Sequence, residues 1–256
     1  MKGCVGILFY NDVDGLRRLI PSLLKSGVSY YDIQAFDGPF KQFPHNGMEL
    51  STDGSREYLQ EIGIRIFDCG IGSHVEKTNI RFKMADKYGY DFMFAIDCDE
   101  YMMGNWPDMT KHLELCQERM SYFTYAVPFM DLDGFYHERA YHQRIFIDPK
   151  NLYYRGAHWW VFHKSEVMMQ TTHWVLGCIL VVHDSKVRPE ARENQMKTFQ
   201  DNFYEEEESL ESLIPYQPSL QQQLPCGCMY GYYKEQKDGD NFYRIKDISI
   251  VCPAHQ

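Results

Sequence analysis

Phe92-Met93-Phe94-Ala95-Ile96-Asp97-Cys98-Asp99-Glu100 is an uncharged apolar run that ends abruptly in three carboxylates. A short apolar run of this kind reads as a buried strand. Residues i and i+2 of an extended chain point the same way, so Asp97 and Asp99 are expected on one face, with Cys98 and Glu100 on the other. Two carboxylates side by side at the carboxyl end of a strand repel each other unless a cation lies between them. Hard oxygen ligands suit Mg2+ or Mn2+, completed by substrate phosphates. An isolated Asp-x-Asp is short and common, and usually marks a solvated turn. Its surroundings therefore decide how this one is read.

Upstream, the pattern alternates. Residues 3–10 read as a buried strand, and a helix begins near Asp14 with Leu16, Leu19, Ile20, Leu23 and Leu24 on one face. Pro21 is expected either to interrupt that helix or to start its second half, and Gly27 to end it. A second strand covers 32–36 and runs into Asp37-Gly38. The polar turn 51–55 caps a helix over 55–62. A third strand over 64–67 ends in Asp68, and a helix over 77–88 leads into the Asp97/Asp99 strand. Strand, helix, strand, helix, strand, helix, strand within about a hundred residues indicates an α/β fold with a mostly parallel sheet flanked by helices. Ligands bind at the carboxyl ends of such strands. Tyr10-Asn11, Asp37-Gly38, Asp68 and Asp97-Cys98-Asp99 all fall there, so the expectation is a binding crevice along one rim.

Downstream the pattern changes. A helix is expected over 107–119, and strands over 122–132, 144–147, 153–154, 158–163 and 174–182, the last ending in His183-Asp184. Pro189 opens a long polar helix whose solvated end is the acidic run 205–208. Residues 209–225, with Pro215, Pro218 and consecutive glutamines, read as a linker. The expected domains are 1–208, the linker 209–225, and a small tail over 226–256. No internal repeat is evident.

The 256 residues are ample for a full core, and 15% aromatic content fits a globular protein with broad grooves. The formal net charge of -10 disfavours holding duplex DNA through its phosphates, but a local metal can outweigh that field for a small anionic substrate. The longest apolar stretch, 174–182, is far short of the ~20 residues a spanning helix needs. With a first strand where an export signal would lie, the eight cysteines are expected to be thiols or metal ligands, and the protein cytoplasmic.

The ordered pieces resemble the nucleotide-sugar glycosyltransferases of the GT-A (Rossmann-like) fold, in particular family 2-like enzymes of bacterial and phage type. They are Phe9-Tyr10-Asn11-Asp12, Ile33 to Gly38, Ser51-Thr52-Asp53-Gly54-Ser55, Lys77 to Arg81, Ile96 to Glu100, Arg144-Ile145-Phe146, Tyr154 to His158, and His183. The resemblance covers about residues 1–208. It implies a metal-dependent transfer of a sugar from a nucleotide-sugar donor, with UDP as the default nucleotide, to a hydroxyl acceptor on a glycan, a protein or a modified nucleobase. It implies Mn2+ or Mg2+ held by Asp99, with His183 as a late ligand and Asp97 on metal-bound water or the ribose. Asp37 would lie by the nucleobase or ribose, with Tyr10 and Asn11 on the same wall. Lys77, Asn79 and Arg81 stand at a helix start, where backbone N–H groups favour anions, and Arg188 and Arg192 follow His183 toward a phosphate. Asp131, Asp133, Glu138 and His158 are candidates for the base that deprotonates the acceptor, and His158-Trp159-Trp160 for a stacking platform. The Glu-Asp pair of many inverting members is missing, which leaves base and stereochemistry open. A nucleotidyltransferase on a similar sheet is the alternative enzyme. A non-catalytic, metal-dependent carbohydrate-binding module is the alternative without turnover.

Cys226 and Cys228, with Cys252 and His255, supply three thiolates and an imidazole near the carboxyl terminus. That set suits structural zinc, and the intervening residues would make a small β-ribbon. The tail resembles zinc-ribbon tails of phage proteins. A segment with so little aliphatic core needs such a staple to fold alone.

Overall fold

The computed structural model describes residues 1–41, 45, 47–119, 124–131, 141–154, 161–164, 173–174, 178–184, 221–223, 229–237 and 240–245. In chain order the main elements are β1 (Gly3–Phe9), α1 (Val13–Lys25), β2 (Ile33–Asp37), α2 (Ser55–Glu61), β3 (Arg65–Asp68), α3 (His74–Lys87), β4 (Phe92–Asp97), β5 (Glu100–Gly104), α4 (Trp106–Arg119), β6 (Thr124–Asp131), β7 (Tyr141–Ile147), β8 (Leu152–Tyr154), β9 (Val161–His163), β10 (His173–Trp174) and β11 (Ile179–His183). The sheet runs β3-β2-β1-β4-β7-β6-β11-β5, with β10 on β6. β3, β2, β1 and β4 are parallel. β7 is antiparallel to both neighbours, while β11 is parallel to β6 and antiparallel to β5. This is the expected α/β fold, with a more mixed sheet in its second half.

Alternation along β4 divides the interior. Phe92, Phe94 and Ile96 join Val5, Ile7, Leu16, Leu19, Leu23, Trp106 and Leu113 in the larger core. Met93 and Ala95 face a smaller core built from Phe82 and Ala85 of α3 with Phe146 and Tyr154. α1 starts on Asp12, whose side chain accepts from the Gly15 N–H, and runs unbroken through Pro21. Of the two expectations for Pro21, an interruption or the start of a second half, the interruption is not seen. Arg17, whose carbonyl has no N–H at Pro21 to accept from, and Pro21 are both exposed, so the helix loses this bond on its solvent-facing side. α3 begins at His74, earlier than expected, because Ser73 and Glu76 form a capping box. Ser73→Ala should cost about 1 kcal/mol, read as a lower denaturation midpoint with an unchanged slope.

β5 was not anticipated. The chain turns at Cys98 and Asp99 instead of staying extended, so Asp97 and Asp99 do not share a strand face. β5 lies four strands from β4 in the sheet, about 19 Å away if it were flat, yet the two linking residues reach only about 11 Å. The stretch β4-β7-β6-β11-β5 must therefore curl back on itself. α1 covers the open edge of β5: Ser22 Oγ accepts from the Met102 N–H at 3.0 Å and Ser26 Oγ donates to its carbonyl at 3.3 Å. Those side chains stand in for a neighbouring strand.

The strand expected over 174–182 is two pieces, β10 and β11. Near the carboxyl terminus, β12 (Gln221–Gln223), β13 (Met229–Lys237) and β14 (Asp240–Ile245) form an antiparallel sheet. β13 and β14 are the ribbon expected between the two ligand pairs, while β12 falls within the stretch expected as linker. Cys226, Cys228, Cys252 and His255, expected as zinc ligands, lie outside the described residues, as does the stretch after Pro189 where a polar helix was expected.

Candidate active site

The carboxyl ends of β1, β2, β3 and β4 come together on one rim, as their parallel register requires. At the end of β1, Asn11 adopts a left-handed φ of 47°. Its backbone N–H donates to Ser51 Oγ at 2.9 Å and its side-chain oxygen accepts from the Thr52 N–H at 2.8 Å. Asp53 accepts from the Val13 and Ser55 N–H groups at 2.9 and 3.0 Å. The polar turn 51–55 is thus stitched to the start of α1. Tyr10 stands beside it, half-buried.

Asp37 is fully buried. Its carboxylate accepts from the Ser51 hydroxyl at 2.6 Å, from the Ser51 N–H, and from Arg56 at 2.7 Å. Arg56 also reaches Asp68 at 2.7 Å. The hydrogen bond to Asp37 pushes the Arg56 guanidinium further up, and Asp68 adds to it. Sequence reasoning missed Arg56. Two strand-end carboxylates beside one another needed a cation, and the first turn of α2 supplied it.

Three other residues expected at the donor brace the wall from beneath. Lys77 is 1% exposed and its Nζ donates to the Gly70 carbonyl at 2.6 Å. Burial pulls its pKa down. Arg81 is 3% exposed and donates to Thr78 Oγ1 at 2.9 Å. Asn79 exchanges two hydrogen bonds with the Tyr154 backbone, at 3.0 and 2.7 Å, joining α3 to β8.

The acidic cluster follows. Asp99, 8% exposed in the turn after β4, lies 2.9 Å from Nε2 of His183 at the end of β11. The Asp99 carbonyl accepts from the Asp184 N–H at 2.9 Å, fixing the turn against β11. His183 stacks on Phe129, with ring centroids 5.7 Å apart. Arg144 pairs with Asp97 at 3.3 Å and with the buried Glu100. Burial alone would raise the Asp97 pKa, but Arg144, Arg81 and His74 outweigh it and hold the group down to about 2. Glu100 is different: burial, with Asp97 adding, pushes it up to about 7 against the pull of Arg144.

Among the described residues, no group of three or more His, Cys, Asp or Glu side chains is gathered as a complete metal cage. Asp99 and His183 supply one carboxylate and one imidazole. Two protein ligands fit a divalent ion that draws its remaining ligands from water and substrate phosphates, and an imidazole beside a carboxylate suits Mn2+ at least as well as Mg2+. The candidates Asp133, Glu138, His158 and Arg188 lie outside the described residues.

No protein-family model matches this chain, and no curated protein matches it. Among solved structures, it is similar to TarS from S. aureus at 12% identity and a TM-score of 0.46, covering 83% of this chain and 41% of that one. A structure of TarS 1-349 in complex with UDP-GlcNAc gives 11% identity, a TM-score of 0.49 and coverage of 83% and 69%. The complex of TarS 1-349 with UDP gives 12%, 0.43, and coverage of 83% and 68%. The chain thus spans about two fifths of the full TarS chain. The α/β assignment rests on the strand order and register of this chain itself.

Proposed function

We propose that this chain is a divalent-metal-dependent glycosyltransferase that moves a sugar from a nucleotide-sugar donor, a UDP-sugar in the first instance, to a hydroxyl acceptor. The observation that carries the reading is the Asp99–His183 pair, 2.9 Å apart on the rim of parallel strand ends. A bound Mn2+ or Mg2+ would act there as a Lewis acid on the diphosphate of the leaving nucleotide. Asp99 and His183 would hold the ion. Asp97, kept ionised by Arg144 and Arg81, would orient the ribose or metal-bound water. Tyr10 and Asn11 would line the nucleotide wall that Asp37, Lys77 and Arg81 support from beneath. The acceptor base is sought among Asp133, Glu138 and His158, and the residue that takes the proton decides which acceptor hydroxyl reacts.

The domain limits 1–208 and 226–256, and structural zinc on Cys226, Cys228, Cys252 and His255, belong to the same proposal. Among the described residues no helix is long and apolar enough to cross a membrane.

The test is turnover. Incubation with UDP-glucose, UDP-galactose or UDP-GlcNAc and Mn2+ should release UDP, and EDTA should stop it. Pyrophosphate release from a nucleoside triphosphate would favour a nucleotidyltransferase instead. Glycan retention with no turnover of either kind would favour a binding module. Metal analysis of the purified chain should find one zinc per chain; none would remove the tail assignment.

A further inference from the structure

We infer that Arg144 is a positioning residue that holds the Asp99–His183 pair in register for a divalent cation; this rests on the metal-dependent reading above. Three independent features converge on it.

The first is the backbone. β7 opposes β6 with Tyr125 against Ile145 and Ala126 against Gln143, so Arg144 is the extra residue of a bulge. Bulges re-aim a side chain out of the regular alternation. β4 pairs with β7 only as far as Phe94 against Ile145, three residues short of Asp97. The Arg144 side chain crosses the opening that this early end leaves.

The second is the ion pairing. Asp97 and Glu100 are the two residues flanking the Cys98-Asp99 turn, and Arg144 binds both. Glu100 in turn accepts from the Asp97 N–H at 2.9 Å. One guanidinium therefore clamps both ends of the turn that carries Asp99. A planar fork with separate donors does this in a way an ammonium does not.

The third is the imidazole side. The Arg144 guanidinium lies 6.0 Å from the centroid of the Phe129 ring, the same ring on which His183 stacks. Arg144 is thus connected to both members of the pair, to Asp99 through the backbone turn and to His183 through Phe129. Groups that orient metal ligands typically change affinity by about 10- to 100-fold when lost.

The experiment is a Mn2+ titration, followed by the electron-spin signal of the free ion, with no donor present. Wild type, Arg144→Met, Arg144→Lys and the double variant Glu100→Gln/Arg144→Met are compared, with melting curves in EDTA. Arg144→Met should weaken Mn2+ binding by about 10-fold or more, and Arg144→Lys should recover only part of it. The double variant removes the carboxylate left without its cation, so it should regain wild-type melting while still binding Mn2+ weakly. Wild-type affinity in Arg144→Met, or affinity restored together with stability in the double variant, would overturn the inference. A wild-type protein that takes up no Mn2+ either alone or with UDP present would overturn the metal reading itself, which separates the two failures.

Discussion

Asp99→Ala is expected to lower Mn2+-dependent turnover of a UDP-sugar by about 100- to 1,000-fold. On the proposed metal reading the carboxylate would be the anionic half of a two-ligand set, and His183 alone would hold a divalent ion weakly in competition with water. Asp99→Asn sharpens the test. The amide can still meet His183 Nε2, which lies 2.9 Å from the carboxylate in the wild type, but it carries no charge. A loss nearly as large as for alanine separates metal binding from simple support of the imidazole. Neither change should unfold the chain, because the Asp99 backbone carbonyl keeps its bond from Asp184. The melting temperature should move by no more than about 4 °C. Near-wild-type turnover in Asp99→Ala would remove the metal assignment, whatever happens to stability.

Gly38→Ala should be the most damaging small change in the wall of the site, costing roughly 3 kcal/mol or more. Gly38 has φ +145°, and an added Cβ would stand 2.3 Å from the Gly70 carbonyl oxygen and 2.9 Å from Lys77 Nζ. Neither neighbour can retreat easily. The loops after β2 and β3 are held together by the Phe40–Gly72 bridge and by Cys69 and Lys41 N–H bonds to Asp37 and Gly72. Lys77 is buried on the Gly70 carbonyl. Gly54 is the comparison: its φ is +92°, but nothing lies within 4 Å of an added Cβ. Gly54→Ala should cost only about 1 kcal/mol, the backbone term alone. Urea denaturation of both variants measures the difference, and equal costs would show that the contact with Gly70 does not matter.

The parallel half of this fold was legible because β1, β2 and β4 are buried along nearly their whole length, so their runs are mostly apolar, with Gln34 the exception in β2. The strand ends were legible for the complementary reason: Asn11, Asp37, Asp68 and Asp97 break those runs with polar groups. The second half was harder to read. β5 is Glu-Tyr-Met-Met-Gly, too short and mixed for a strand signal, and its edge is satisfied by two serines of α1, a partnership no local pattern encodes. Arg144 was visible as part of a motif, but its role comes from a bulge and from carboxylates 44 and 47 residues away. Arg56 was hidden for a like reason, since its partners Asp37 and Asp68 sit on different strands. Asp37 has partners that its position alone did not announce. A carboxylate at a strand end suggested ligand contact; its bonds to Ser51 and Arg56 come from a turn and a helix that follow in the chain.

β5 leaves the ribosome immediately after β4, but its strand partner among the described residues, β11, follows some 75 residues later. At 5–20 residues per second, that interval is roughly 4–15 s. During it, the nascent chain can lay down β1 to β4 with α1 and α3, while the segment that carries Asp99 has no His183 to meet. A growing or prematurely released chain therefore holds the nucleotide wall without its cation pair. On the proposed function, chemical competence would wait until β11 enters between β6 and β5, and unfinished copies would be held inert by topology.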